Sequence, residues 1–336
     1  MQSKERTYKI EEAFLSPYAC KSVCTKGRQR EETPCSMRTD FQRDRDRIIY
    51  SKSFRRLKNK TQVFFSPDGD HYITRLTHTF DVSQIARSIA RALSLNEDLT
   101  EAIALGHDLG HTPCGHVGER VLDALCPEGF RHNAQSLRVV DLLEKDGKGL
   151  NLTYEVRDGI INHTSSGKPQ TLEGVAVSLA DRIAYINHDI EDAIRGGFLR
   201  EEELPAGPIA VLGRDTSERI NTAITDIVTN SEGKNQLTMS EEKGRASVEL
   251  RKFMFERVYI RANKVMQDRA ERMITAMYDY FVKNTDKMPA LYRDVAEREG
   301  AGRAVCDYIS SMTDRYAIGV FEDLFVPKSF AMDGRG

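Results

Sequence analysis

The sequence predicts an all-α protein. Three observations carry that reading. Apolar residues recur at three- and four-residue spacing along most of the chain, cap-forming and acidic residues open several of those stretches, and alternating strand patterns are scarce. The 336 residues suffice for a large core. A net charge of −2, from 49 basic and 51 acidic residues, excludes a global basic field. No apolar run reaches the roughly eighteen residues of a membrane span. The opening MQSKERTYKI has no signal-peptide core, so cytoplasmic residence is expected, with no membrane partner.

Residues 1–37 mix turn formers, charges and cysteines and read as an extended N-terminal arm. From Arg38 to Lys60 stand nine Lys/Arg and three Asp. Its RDRDR run predicts a helix whose arginines pair with acids, with some phosphate contact; weak single-stranded nucleic acid binding is the secondary reading. The interleaved Phe41, Tyr50, Phe54, Phe64 and Phe65 are expected mostly to pack inward. TQVFFSPDG and HYITR predict a short β-hairpin around Pro67-Asp68-Gly69.

Between Thr77 and Leu95, Val82, Ile85, Ile89 and Leu93 form one stripe, with Arg87 and Arg91 turned away. Asn96 then caps EDLTEAIALGHD, whose first turn carries Glu97 and Asp98. Gly110 ends that helix, and Thr112-Pro113 reads as the cap and first-turn proline of CGHVGERVLDAL. AQSLRVVDLLEK is helical up to the turn DGKGLNL, and LEGVAVSLADRIAYINHDIEDAI is a long helix ending at Gly196-Gly197. SERINTAITDIVTNS, EEKGRASVELRKFMFERVY, AERMITAMYDYFVKN, AGRAVCDYISSM and TDRYAIGVFEDLF follow as helices before the frayed tail PKSFAMDGRG. The chain so divides into the arm 1–37, a core 38–200 and a helical C-terminal part 201–336 packed on that core. The six cysteines form no Cys-x-x-Cys pair and read as reduced thiols.

Several polar residues sit where apolar ones are expected. His78 begins the stripe that continues through Val82, Ile85 and Ile89. His107 and Asp108 end the next helix. Asp181 interrupts the most apolar helix, and Asp181, Tyr185 and Asp189 fall at i, i+4 and i+8 on one face. A lone inward histidine is more often a satisfied core residue, and a lone aspartate often pairs with arginine. Two imidazoles and two carboxylates from three helices instead suit a divalent transition metal with water completing its shell. Manganese, iron, nickel or zinc fits that donor set, with magnesium bound through the carboxylates.

At these residues the chain resembles the HD superfamily of metal-dependent phosphohydrolases. The blocks RDRDRIIYSKSFRRLKNKTQVF, TRLTHTFDVSQIAR, GHDLGHTPCGHVGE, FRHNAQSLR, LADRIAYINHDIEDAI and DYISSMTDRYA are similar to deoxynucleoside triphosphate triphosphohydrolases of the bacterial dGTPase type. The resemblance runs from about Arg43 to Ala317. It implies an HD-domain helical fold with a helical C-terminal extension. It also implies one divalent metal per site, held by His78, His107, Asp108 and Asp181, and hydrolysis of a dNTP at the α-phosphorus to deoxynucleoside and intact triphosphate.

His116 matches the catalytic histidine and Glu119 its acidic partner. The two lie three residues apart, hence on one helix face. Acid and nucleophile remain alternative roles for His116. His111 stands beside them, contacting phosphate or supporting the metal. Arg75 and Arg182 match phosphate contacts, and His132 and Asn133 match residues near the phosphates. Tyr185 matches a residue packed by the sugar, Asp189 one that fixes its hydroxyl, and Gln62 one near sugar and base. Arg315 is read as reaching substrate from its own or a neighbouring subunit. Similar proteins form homo-oligomers, often hexamers. A nucleotide phosphomonoesterase or phosphodiesterase, and a nucleotide-sensing protein, are the competing readings.

Overall fold

In the computed structural model, which describes residues 3–62, 73–259 and 264–327, the regular elements are helices throughout. In chain order they are α1 (Ser3–Phe14), α2 (Asp40–Ile49), α3 (Lys52–Arg56), α4 (Arg75–Ala92), α5 (Glu97–Gly106) and α6 (Gly115–Leu125). Next come α7 (His132–Arg138), the single turn α8 (Glu144–Gly147), α9 (Tyr154–Asn162) and the long α10 (Leu172–Arg195). The rest are α11 (Ala206–Leu212), α12 (Thr216–Ser231), α13 (Glu241–Met254), α14 (Lys264–Lys283), α15 (Ala290–Glu299), α16 (Ala301–Ser310) and α17 (Asp314–Phe325).

Local chemistry sets the starts of the helices that matter. Thr74 caps α4 by accepting from the Thr77 amide, Asn96 caps α5 by accepting from Leu99, and Thr171 caps α10 by accepting from Gly174. Each such cap is typically worth about 1 kcal/mol. The stripe Val82, Ile85 and Ile89 is buried, and it packs α4 against α10 and α5. Helix α2 covers α5, and α9 packs on both α5 and α10. One continuous apolar core reaches from Phe41 through these helices to Met277 in α14 and Ile309 in α16. A smaller cluster, including Ile186, Ile190, Leu250 and Met254, joins the end of α10 to α13.

The structure corrects three local readings. The N-terminal arm is not extended throughout: Ser3–Phe14 is a helix. It is tied down by Glu11, whose buried carboxylate accepts from the Ser22 amide and hydroxyl, both at 2.6 Å. Thr112-Pro113 does not open α6. The helix starts at Gly115 behind Cys114, which is left-handed at φ 64°, while the Thr112 hydroxyl donates to the Gly115 carbonyl at 2.9 Å. The helix read through AQSLRVVDLLEK widens at Val139–Leu143 into π geometry. Of the hairpin, Thr61 and Thr74 form an isolated antiparallel bridge. The intervening 63–72, with Phe64, Phe65 and Pro67-Asp68-Gly69, lie outside the described residues, as does the tail 328–336.

Four arginines of the 38–60 block are held in ion pairs. Arg43 and Arg47 reach Glu32 at 2.9 and 2.6 Å, Arg45 reaches Asp98 at 3.1 Å and Glu101 at 3.2 Å, and Arg38 reaches Asp46 at 2.5 Å. Phe41 and Phe54 are buried, whereas Tyr50 is exposed. Among the described residues no helix is long and apolar enough to cross a membrane.

Candidate active site

Three elements deliver four metal-type donors to one place. Helix α4 carries His78 on its buried face, the end of α5 presents His107 and Asp108, and α10 contributes Asp181. His78 Nε2 stands 3.1 Å from Asp181 Oδ1, and His107 Nε2 stands 3.6 Å from Asp108 Oδ2 and 3.8 Å from Asp181 Oδ1. Donors about 2.0–2.2 Å from a common ion stand roughly 3–3.5 Å apart, so these spacings are close to those of a coordination shell. The His107 ring is oriented by its Nδ1, which donates to the Ala104 carbonyl at 2.6 Å. Its Nε2 is buried and has no hydrogen-bond partner among the described residues. A lone pair left that way is costly, and a cation relieves the cost. The donor set therefore fits a divalent ion.

The electrostatics agree. Burial pushes the His78 imidazole down, which favours the neutral, ligating form. Burial pushes Asp181 up, but His78 and His107 hold it below the usual carboxylate range. Asp108 is likewise opposed by burial yet held well below that range, by Arg75 and then His107. Arg75 itself makes a close ion pair with Asp108 and donates to the Gln62 carbonyl at 3.3 Å.

Behind His78 lies a relay. His78 Nδ1 is 3.3 Å from His188 Nδ1, and His188 Nε2 is 2.9 Å from Asp81. With His78 Nε2 turned to the donor cluster, its Nδ1–H donates to His188, whose own Nε2–H donates to Asp81. One tautomer of each ring follows.

The opposite wall is α6. Cys114 and Gly115 both have positive φ, 64° and 59°, which swings the helix start back across the end of α5. A Cβ on Gly118 would lie 2.1 Å from the Pro113 carbonyl, so only glycine allows this closeness. His116 is half exposed, with Nε2 3.1 Å from the Tyr185 hydroxyl. Glu119 lies 3.8 Å from His116 Nδ1, but it accepts from both the amide and Nδ1 of His132 at 2.9 Å. The pair read from sequence is thus part of a His116–Glu119–His132 group. Burial raises Glu119, but contacts with His116 and His132 hold it well below the usual range, and it stays ionised. His111 is buried, stacks on His132 with centroids 4.9 Å apart, and is kept neutral by burial and by Arg75.

These walls enclose a cavity of about 220 Å³. Its lining includes Gln62, Arg75, His111, His132, Arg182 and Tyr185, in addition to His78, Asp108, Asp181 and His116. Two residues read as substrate contacts lie elsewhere. Asn133 spends its amide on the Ile161 carbonyl at 2.6 Å and does not line the cavity. Asp189 is buried outside the lining beside Tyr185, and burial, followed by Asp192, pushes its carboxyl well up. Arg315 is exposed and also off the wall.

The structure adds residues that the sequence reading missed. Arg251 of α13 joins Arg182 on the wall, and among the described residues neither forms an ion pair. His163 is buried beside His107 and His132. The α16–α17 joint braces the whole turn. Asp314 accepts from the Thr61 and Cys114 amides, each at 2.9 Å, and buried Lys60 donates to the carbonyls of His111 and Ser310. The sequence around Lys60 and Asp314 carries no signal that both converge on this turn. His163, alone in IINHTSS, carried none either.

Comparison with known proteins places this geometry. Residues 75–186 match the HD domain, spanning all four donors, and residues 237–323 match the phosphohydrolase-associated domain, which includes Arg251 and Asp314. Over 328 residues the chain is 58% identical to a deoxyguanosinetriphosphate triphosphohydrolase-like protein of Caldanaerobacter subterraneus subsp. tengcongensis, covering 97% of each. It is 49% identical over 340 residues to one from Clostridium perfringens, covering 98% of this chain and 99% of that protein. A solved phosphohydrolase from Bacteroides thetaiotaomicron shares the fold, with TM-score 0.50 at 20% identity over 82% of this chain and 68% of that one.

Proposed function

This chain belongs to the HD-domain family of deoxyguanosinetriphosphate triphosphohydrolase-like proteins, and from that premise we propose that its site hydrolyses a deoxynucleoside triphosphate to deoxynucleoside and intact triphosphate. One observation carries the reading: His116 Nε2 meets the Tyr185 hydroxyl at 3.1 Å, one helical turn along α10 from the donor Asp181. A proton-bearing imidazole, a ring able to lie against a sugar and a metal-type carboxylate are thereby set in a row.

His78, His107, Asp108 and Asp181 would hold the ion. A bound divalent cation supplies Lewis-acid polarisation of a phosphoryl oxygen or activation of water. The side chains supply the rest. Arg182 and Arg251 offer positive charge to a polyphosphate. His116 donates a proton to the departing 5′-oxygen, a role typically worth about 10²–10⁴ in rate. Glu119, ionised between His116 and His132, orients both rings. Tyr185, its hydroxyl kept protonated by burial, packs where a ribose 2′-hydroxyl would have to fit.

The test is a panel of dNTPs and matching ribonucleotides against metal-loaded protein, read as nucleoside released. Release from at least one dNTP, with little from its ribonucleotide and its loss in His116→Asn, is the expected result. No release from any dNTP would overturn the reading.

A further inference from the structure

A separate cavity, of about 440 Å³, opens where α3, the π-widened segment Val139–Leu143 and the α16–α17 joint meet. It shares no lining residue with the candidate active site. Its volume falls in the range of small-molecule sites, about 300–1,000 Å³.

The charges around it do not cancel. The lining carries the carboxylates of Glu144 and Asp146 and the cations of Lys52, Arg56 and Lys145. Both carboxylates are already engaged. Glu144 accepts from the Ser53 amide and hydroxyl at 2.7 and 2.6 Å and from the Lys52 amide at 3.2 Å. Asp146 pairs with Lys52 at 3.2 Å. Among the described residues Arg56 and Lys145 form no ion pair. Arg56 is partly buried, and its guanidinium donates to the Tyr292 hydroxyl, which leaves donors of its planar fork to spare.

Much of the remaining lining is aromatic or apolar. Tyr292 and Tyr308 are buried with ring centroids 5.0 Å apart, Leu143 and Met312 lie beside them, and the exposed Tyr316 brings its hydroxyl 3.4 Å from that of Tyr308. Such a lining accepts a planar ring. The backbone bearing Lys145 is constrained as well: Lys145 and Asp146 are successive non-glycine residues in the left-handed region, at φ 52° and 55°. Left-handed residues and π geometry of this kind gather at ligand clamps.

We propose that this cavity binds a small phosphate monoester carrying a planar ring, with its head on Arg56 and Lys145 and its ring against Tyr292 and Tyr308. Two unpaired cations match a phosphate monoester, which carries about −1.5 to −2 near neutral pH, better than a singly charged carboxylate. The occupant would also rest on Ser311, Met312 and Thr313, the residues between the Ser310 carbonyl that receives Lys60 and the Asp314 that receives Cys114.

The experiment is calorimetric titration of the full chain with phenylphosphonate, a ring-bearing dianion that resists hydrolysis, with and without Mn²⁺. One site is expected, unchanged by Mn²⁺ and by Arg182→Gln, and weakened about tenfold or more in Arg56→Gln and in Lys145→Asn. Lys145 is exposed and left-handed, a position that asparagine accepts, so its variant keeps the test open should Arg56→Gln not fold. Inorganic phosphate, lacking the ring, and benzoate, lacking the second charge, should each bind about tenfold more weakly than phenylphosphonate. No binding at millimolar phenylphosphonate would overturn the proposal, as would unchanged affinity in both variants when folded. Binding that requires Mn²⁺ or Arg182 would place the ligand in the active site and overturn it too. Equal affinity for inorganic phosphate or benzoate would remove the ring-bearing dianion as the ligand. Because no residue lines both cavities, each of these results leaves the functional reading standing or falling on its own test.

Discussion

At the scale of single residues, the site depends on tautomers more than on charges. Asp81 is about half exposed, yet through His188 it fixes the proton on His78. Asp81→Asn should weaken Mn²⁺ affinity about 10–100-fold while leaving the metal-free fold unchanged, and Asp81→Glu should restore most of it. Calorimetric titration measures this, and unchanged affinity in the asparagine variant would dissolve the relay. His116→Asn should lower kcat about 10²–10⁴-fold with metal content intact, because the ring holds a proton and not the ion.

Lys60 offers a pH test. Burial lowers its pKa from 10.5 to about 7. Between those values the unfolded chain binds more protons than the folded one, so the folded form gains stability as pH rises. Relative to Lys60→Met, the wild type should gain on the order of 1 kcal/mol per pH unit from about 7 to 10 in denaturant titrations. A flat difference would refute the depressed value. Much at this scale was legible in the sequence. His78 and Asp181 stood out because each broke an apolar pattern, and His107-Asp108 ended a helix with a clear cap. His188 and His163 broke no pattern, since their roles arise only from contacts across helices.

At the scale of elements, the working unit is the turn from His107 to His116 and its braces. Cys114 and Gly115 are left-handed, and no spacing rule announces a left-handed non-glycine residue, which is why Thr112-Pro113 resembled a cap. The brace is Asp314, which satisfies two amides on separate segments as well as the Thr61 hydroxyl. Asp314→Ala leaves those buried donors without their acceptor, at about 1–3 kcal/mol each. It should both lower thermal stability and reduce kcat more than it reduces metal content. A stability loss with kcat unaltered would mean that the joint is merely structural. Helix existence was legible wherever caps and apolar stripes coincided, as in α4, α5 and α10. The short α9, α11 and α15 were not: none of them starts at a side-chain cap, unlike the equally short α5 with its Asn96.

At the scale of the whole molecule, the C-terminal helices complete the site from outside the HD match. Arg251 comes from α13 and Asp314 from the start of α17, both within the phosphohydrolase-associated match. That placement explains why part of the site escaped the sequence reading: these residues lie more than 130 positions from His116 and meet it only through packing. Ion binding should also stabilise the assembled chain, by about 2.7 kcal/mol at a metal concentration 100-fold above Kd, and chelation should reverse this in a melting experiment. The central claim, however, concerns which bond is broken. It is tested most directly by incubating metal-loaded protein with a dNTP and resolving the phosphorus products by ³¹P NMR. The geometry predicts inorganic triphosphate and deoxynucleoside in equal amounts; orthophosphate or pyrophosphate as the primary product would contradict it.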